Sequence, residues 1–567
     1  MDRLTPTAGN ETQEVVNQPT PLTDYNLFLT DTTLVNAIKR EGAAWAEQQI
    51  SELGRLLGTE EVQRWGFDAN ENKPVLHTHD RAGNRRDEVV FHPTWHKLMQ
   101  TSVGHHVHNL PWIEKRPAAH VARAVLLMMT AQNEAGHTCP ISMTFSGVAA
   151  LRVEPDLARE WEPKILSSSY DSRFRPAHEK SGVLLGMGMT EKQGGSDVRA
   201  NTTRAEQIGG SRDYLITGHK WFCSAPMCDA FLILAQAPKG LSCFLLPRWT
   251  PSGERNKFYI QRLKDKLGNR SNASSEVEFV GAWAQLVGEK GRGINTIIEM
   301  VHHTRLDCAI AAVALMRQAL VQAVHHAGHR KVFGKLLIDQ PLMRNVLADL
   351  TLESEAATLL MVRLAHSFDA RESDDRERAF GRIATAISKY WLCKRAPMQV
   401  AEALECLGGN GYVEESIMPR LYREAPLYSI WEGSGNVICL DILRAITKDP
   451  ATLEALIHEL KLTAGANRFL DSCVADLETT LGKQVKQSGN GAGEAEGQAR
   501  RLAEKIALAL QASLLVRHSS SAAAEAFCTS RLGGDGGRAF GTLSGTAELK
   551  SVLDPVSTAI LNMTPVR

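Results

Sequence analysis

Apolar residues recur at spacings of three and four from about Leu27 to Leu166, as in "TLVNAIKREGAAWAEQQISELGRLLG" and "AAHVARAVLLMMTAQNEAGH". That period puts them on one face of a helix, so this stretch is predicted to be mostly helical. The texture changes near Gly182. "DYLITGHKWFCSAPMCDAFLILAQAPKGLSCFLLPRW" holds short β-prone runs broken by Gly, Pro and Lys-Gly turns, and "SSEVEFVGAW" alternates with period two at Val277 and Phe279. A compact antiparallel β domain over 183–288 is predicted. Helical texture returns at Ile294. "INTIIEMVHHTRLDCAIAAVALMRQALVQAVHHAGHR", "QPLMRNVLADLTLESEAATLLMVRLAHSF" and "RIATAISKYWLCKRAPMQVAEALECLGG" are long helices, the last stopped by Gly408-Gly409. A fourth helix is predicted from about Asn436, and four long helices with short connections make a bundle. Beyond Thr447, two more helical stretches flank "SGNGAGEAEGQ", which reads as a flexible linker or loop. The predicted class is α+β, mainly α. It comprises an N-terminal helical domain (1–182, roughly its first 20 residues a mobile polar arm), a β domain (183–288), a helical bundle (289–447) and an extra helical domain (448–567).

Composition narrows the function classes only a little. The chain has 567 residues, with 64 Lys and Arg against 64 Asp and Glu, so net charge gives no push toward nucleic acid or membrane. No run of about 18 apolar residues is seen, and none is expected to cross a membrane. The polar start lacks an apolar signal core. Ten cysteines lie scattered from Cys139 to Cys528 without a C-x-x-C pair. They are expected to be reduced and buried, as in a cytosolic protein, and no metal site is expected. The adjacent His pairs at 105–106, 302–303 and 325–326 make poor ligand sets.

Five short motifs carry candidate chemistry. "MGMTEKQGGSDV" turns tightly at Gly194-Gly195, exposing amide N–H groups beside the Thr190 and Ser196 hydroxyls; it suits a phosphate or a polar ring edge, or is a plain surface turn. It is neither a Walker loop nor a Rossmann fingerprint. "GHKWFCSA" lies in the β texture. "HRKVFGKLLIDQP" sets Arg330 in a cationic cluster, suited to a pyrophosphate or merely an exposed helix end. "LGGNGY" allows close backbone approach to a ligand, or is a helix C-cap. "SIWEGSGN" puts Glu432 between Trp431 and Gly433, where a carboxylate could cap a helix or act as a base.

In this order the five segments resemble those of the flavin-dependent acyl-CoA dehydrogenase family, from about residue 100 to 446. "NQPTPL", "NTTRAE", "RLKDKLGNRSNAS", "PRLYRE" and the added tail are similar to one branch in particular, that of the bacterial alkylation response. The resemblance implies that fold, a tightly held FAD and a homotetramer. It implies cofactor contacts from Met189, Thr190, Gly194, Gly195 and Ser196. Phe222 would take the place of the family's flavin-stacking Trp, followed by Cys223 and Ser224. Arg330 and Phe333 would reach a neighbouring subunit's FAD, Gly408 and Gly409 would leave room for its adenine end, and Trp431, Gly433, Ser434 and Asn436 would complete the site.

The family removes a proton α to a thioester while a hydride leaves the β carbon for the flavin. The base falls on Glu432, because the alternative family position, in the turn "HHTRL", holds His303 and Thr304 and no carboxylate. Arg305 matches a supporting Arg and, with Trp431, would line the substrate pocket. Glu405 stands where the family often has Gln, and Trp431 where a smaller Tyr is common. Weak activity on short or branched acyl-CoA is therefore expected. The branch also implies binding to double-stranded DNA and its protection from alkylating agents, through Arg444, Arg500, Arg501 and Lys505. Against this, from Ala451 onward twelve Lys and Arg are balanced by twelve Asp and Glu. "GGDGGRAFGTLSG" reads as a disordered or phosphate-tracking loop. Removing 448–567 is expected to weaken DNA binding and spare the flavin. The competing readings are an ordinary metabolic acyl-CoA dehydrogenase and a non-catalytic acyl or lipid carrier.

Overall fold

The computed structural model describes residues 15–486 and 492–563. Its N-terminal helices are α1 (Thr32–Arg40), α2 (Glu47–Leu57), α3 (Glu60–Glu71), α4 (Pro93–Gly104), α5 (Ala119–Asn133), α6 (Thr138–Leu151) and α7 (Pro155–Ile165). Side-chain caps start several of them: Asp31 accepts from Leu34 N and Thr59 from Val62 N, each satisfying an otherwise orphaned first-turn donor. Between α3 and α4 the chain makes a hairpin, β1 (Val75–His79) with β2 (Arg85–Val90), inside the stretch read as helical. Its signal is local: a polar Asp-Arg-Ala-Gly-Asn turn with Gly83 at φ 88° between two extended runs.

The middle domain consists of β3 (Leu185–Gly188), β4 (Arg204–Gln207), β5 (Asp213–Ser224), β6 (Ala230–Ala237), β7 (Gly240–Pro247), β8 (Phe258–Leu263) and β9 (Ser274–Val287). Strand β7 pairs with both β6 and β9, and β4 bridges β6 to β5, which closes the sheet into a barrel. Most pairings are antiparallel, but β3 runs parallel to β6, so the domain is not purely antiparallel.

The bundle helices are α8 (Gly293–His329), α9 (Pro341–Ala370), α10 (Asp375–Cys406) and α11 (Gly435–Lys448). Helix α8 is the central one, buried on nearly every face, which is why it is apolar all round. By length and composition it could cross a membrane, contrary to the sequence-based expectation, but here its apolar span is mostly covered by neighbouring helices. A short hairpin, β10 (Lys331–Val332) and β11 (Lys335–Leu336), joins α8 to α9.

The tail contains α12 (Pro450–Lys461), α13 (Arg468–Lys486), α14 (Ala492–His518) and α15 (Leu549–Leu561). Part of the expected linker lies outside the described residues; from Ala492 it is helical. The tail is welded to the bundle. Glu459 of α12 accepts from Arg363 of α9 at 2.9–3.0 Å and from Arg517 of α14 at 2.6 Å. Gln511 accepts from Trp391 Nε1 in the buried interface at 2.9 Å. The glycine-rich segment Gly533–Gly545 is ordered, contrary to its reading as a disordered loop. It lies on α9, with Gly541 N donating to Asp349 (2.9 Å) and Leu543 exchanging two bonds with Asn345. Excision of 448–567 would therefore strip apolar surface from α9, α10 and α11. On this packing the deletion is expected to disturb the flavin site as well.

Residues 1–14 of the expected arm lie outside the described residues. From Asn17 to Thr20 the arm is held by the bundle, as set out below.

Candidate active site

The segment Ser429–Asn436 reverses direction through two consecutive left-handed residues, Glu432 (φ 57°) and Gly433 (φ 103°), before Ser434 starts α11. A glutamate in that region is uncommon and strained, so the surroundings must impose it. They do so from three helices. Arg305 of α8 donates from Nε to the Glu432 carbonyl at 3.1 Å, and Lys389 of α10 donates to the Gly433 carbonyl. Asp441 of α11 ties Arg305 (2.7 Å) to Arg382 of α10 (2.6 Å). With the backbone fixed, Thr304 Oγ1 donates to Glu432 Oε2 at 2.7 Å.

Glu432 is half-buried as a residue, yet its carboxyl lies deep enough that desolvation is the strongest influence on it and raises its pKa. The Thr304 hydrogen bond and the charges of Arg305 and Lys389 oppose that rise. A base here works once ionised, so activity should rise with pH through a midpoint above the usual carboxylate range. Thr304→Val removes a donor to the charged form and should move that midpoint upward. Stopped-flow rates of flavin reduction against pH test this; an unmoved midpoint would detach Thr304 from the carboxyl.

Beside Glu432, Trp431 packs edge-on to Tyr428 (5.5 Å between ring centres), and its buried Nε1 has no hydrogen-bond partner among the described residues. Cys139, at the head of α6, connects the loop to the barrel. Burial pushes its thiol up to about 12, with Asn272 and Ser224 bonding to it and the Glu432 charge acting on it. Ser224 of β5 and Glu432 therefore both lie close enough to Cys139 to act on its thiol.

On the barrel side, the turn at Gly194 (φ 125°) is exposed from Lys192 to Asp197, and Gly195 has no room for a side chain, since an added Cβ would lie 2.4 Å from Thr190 Oγ1. The backbone of Met189 and Thr190 is spoken for: the Met189 carbonyl accepts from Asn201 and that of Thr190 from Trp221 N. Ser196 is free at the surface. Phe222 is 50% exposed on the same strand face as Ser224, while Cys223 points into the barrel core with no exposed surface. Cys223 can thus offer a ligand only its backbone, a correction to its reading as a contact residue.

Glu191, which the sequence does not single out, is the buried anchor of this turn. Its carboxylate accepts from Lys220 Nζ (2.9 Å), Thr202 N (2.6 Å), Thr202 Oγ1 (3.0 Å) and Thr203 N (3.2 Å), and Lys220 also donates to Leu234 O (2.7 Å). Burial pushes Glu191 up, but the Lys220 charge and these bonds win, and it titrates at about 2.

The other sequence-picked residues lie elsewhere. Arg330 ends α8, and Phe333 (φ 52°, 95% exposed) tips the β10–β11 hairpin. Gly408 and Gly409 follow α10 with open space around them, and Glu405 is exposed nearby. From Thr304 to His329 an α-helix rises about 37 Å, so Arg330 and Glu432 of one chain serve different places. Of the tail cations, Arg444 and Arg501 are exposed with no ion pair among the described residues. Lys505 is paired with Asp476. Arg500, also exposed, donates from Nε to Asn436 Oδ1 at 2.8 Å, which places it beside the active-site loop.

Three family models match in chain order: Adaptive response protein AidB N-terminal domain over residues 17–172, Acyl-CoA dehydrogenase middle domain over 186–282, and Acyl-CoA dehydrogenase C-terminal domain over 291–447. The chain belongs to the acyl-CoA dehydrogenase family, in its AidB branch. It is 46% identical to AidB of Escherichia coli (strain K12) over 93% of this chain and 96% of that one. It is 30% identical to Acyl-CoA dehydrogenase family member 11 of Caenorhabditis elegans, over 83% of this chain and 80% of that one. The crystal structure of Caenorhabditis elegans ACDH-11 in complex with C11-CoA superposes with a TM-score of 0.82 at 28% identity, covering 93% of this chain and 95% of that chain. Membership makes the chain a flavoprotein with FAD as its cofactor. The residues present fit that group. A half-exposed aromatic ring, an exposed glycine turn whose Gly195 and Ser196 amides are unbonded among the described residues, and a buried Trp431 N–H without a partner among them suit a flat ring system carrying polar edges and phosphates.

Proposed function

We propose that the chain oxidises short or branched acyl-CoA thioesters with Glu432 as the base. The observation that carries this is the strained Glu432, aimed by Thr304 and made a better proton acceptor by burial. The proton α to a thioester is too weakly acidic for a solvated carboxylate, so a desolvated, fixed one is required. Arg305 and Lys389 hold the backbone around it, and Trp431 shields the pocket from water. When bound, FAD supplies the two-electron acceptor for the hydride that leaves the β carbon. Exposed Phe222 and Ser224 with the 192–197 turn would hold its ring side, and Ser434 and Asn436 would lie beyond Glu432. That a similar protein was crystallised with C11-CoA supports an acyl-CoA ligand; the bulk of Trp431 supports a short one. Anaerobic addition of an acyl-CoA panel should bleach the oxidised flavin spectrum. A flavin unreduced by every member would leave a non-catalytic acyl carrier.

The assembly belongs to the same reading. Arg330 and Phe333 lie about 37 Å along α8 from Thr304, and so would serve the FAD of a neighbouring subunit in a homotetramer.

A second reading, binding and protection of duplex DNA against alkylation, is favoured by the exposed Arg444 and Arg501, without an ion pair among the described residues, and by the AidB-type N-terminal domain. Contacts would be mainly to phosphates, so affinity should fall steeply with salt. Arg444→Glu with Arg501→Glu should weaken binding and flatten the salt slope by about two, at unchanged FAD content. An absence of any salt-sensitive shift of duplex DNA by the full chain would end this reading.

A further inference from the structure

The motif "NQPT" at 17–20 has no part in the chemistry above, and it begins the arm that reads as loose in the sequence. Its first residue is in the left-handed region (Asn17, φ 55°) and makes three bonds to one place more than 300 residues away. Asn17 Nδ2 donates to Lys331 O at 2.8 Å, and Lys331 N donates to Asn17 Oδ1 at 2.7 Å. The amide thus imitates a strand partner at the base of the β10–β11 hairpin. Arg330 Nη1 donates to the Asn17 carbonyl at 2.6 Å. The next residue continues the link: Gln18 Oε1 accepts from Asn410 Nδ2 at 2.8 Å, in the loop that follows Gly408 and Gly409. Thr20 O then accepts from His325 Nε2 at 2.9 Å, on the last turns of α8. Three residues of the arm, Asn17, Gln18 and Thr20, therefore join the hairpin, the end of α8 and the segment after α10.

We propose that Asn17 is a positioning residue for the cofactor site, fixing the hairpin and aiming the Arg330 guanidinium at the dinucleotide end of FAD. This rests on the reading of Arg330 as a contact to a neighbouring subunit's cofactor. A free arginine at the end of a helix samples many rotamers and must lose that freedom to bind a pyrophosphate. Held at one terminal nitrogen, Nη1, by the Asn17 carbonyl, with its other guanidinium donors unbonded among the described residues, Arg330 loses less on binding, which tightens the site without adding a contact. The Gln18–Asn410 bond sets the glycine loop against the same arm, so the two dinucleotide segments keep a fixed spacing.

The test measures FAD affinity, by quenching of flavin fluorescence on reconstitution of the full-length apoprotein. The variants are Asn17→Ala, Arg330→Ala and the two combined. Asn17→Ala should weaken FAD binding by about tenfold, and Arg330→Ala by at least as much. The double variant should be no worse than Arg330→Ala alone, because Asn17 acts through Arg330. A purely structural role for Asn17 would instead give losses that multiply, which overturns the proposal. Wild-type affinity in Asn17→Ala beside a loss in Arg330→Ala also overturns it, while sparing the reading of Arg330. Wild-type affinity in both sinks that reading as well. Sedimentation of each variant keeps assembly separate from cofactor binding. An Asn17→Ala protein that dissociates into smaller species yet holds FAD as tightly as wild type likewise counts against the proposal.

Discussion

Glu432→Gln is expected to bind FAD and acyl-CoA normally and to reduce its flavin at least about a hundredfold more slowly. The substitution keeps the size of the side chain, and Thr304 Oγ1, which now donates to Oε2 at 2.7 Å, can donate equally to an amide oxygen. The bonds from Arg305 and Lys389 go to main-chain carbonyls and are untouched. Only the capacity to take a proton is lost. Because the wild-type carboxyl is raised by burial, the neutral amide is also no worse solvated than the group it replaces, so the fold should not suffer. Rapid mixing with the most reactive acyl-CoA under anaerobic conditions measures the effect. A rate within a few fold of wild type would mean that Glu432 merely shapes the turn ahead of α11.

The sequence carries the order of the domains because each has its own period: three to four in the helical parts, two in "SSEVEFVGAW". It also carries the active-site loop, since a Trp-Glu-Gly-Ser-Gly run can hardly be regular structure. What it hides are pairings between distant segments. Glu191 sits among glycines and polar residues and reads as solvated, yet its partner Lys220 lies in the next-but-one strand, between residues that alternate in and out of the barrel. Arg500 reads as a surface cation from its neighbour Arg501, and only the docking of α14 on α11 brings it to Asn436. Lys505 likewise meets Asp476 of α13 in an ion pair at the surface that its sequence neighbours do not foretell. Asn17 is the extreme case. A polar arm predicts no structure by composition, and its side-chain amide pairs with the backbone of a two-stranded hairpin more than 300 residues away. The β1–β2 hairpin is different, because its turn and extended runs were there to be read, and the helical period on both sides masked them.

Lys220→Met is expected to destabilise the barrel by about 3–5 kcal/mol and to release FAD, although Lys220 itself has no exposed surface to offer a ligand. The pair it forms with Glu191 is fully buried on both sides. Methionine fills most of the space and leaves the Glu191 carboxylate with backbone and hydroxyl donors but no cation. Because Glu191 titrates at about 2 in the fold against an ordinary 4.5, its contribution is complete above pH 4.5 and fades as pH falls toward 2. Removing Lys220 takes away the strongest opponent of burial, so the variant's carboxyl should gain a proton at a much higher pH. Deprived of its anchor, the Met189–Ser196 turn loses the geometry that presents its amides. Neutralising the partner should recover much of the loss: Glu191→Gln in the Lys220→Met background leaves no uncompensated charge, and buried ion pairs replaced on both sides are often close to neutral. Thermal melting of the single and double variants, with FAD release followed by fluorescence, makes the comparison. If the double variant melts no higher than Lys220→Met alone, the damage comes from lost packing and the charge on Glu191 is not what the lysine is there to meet.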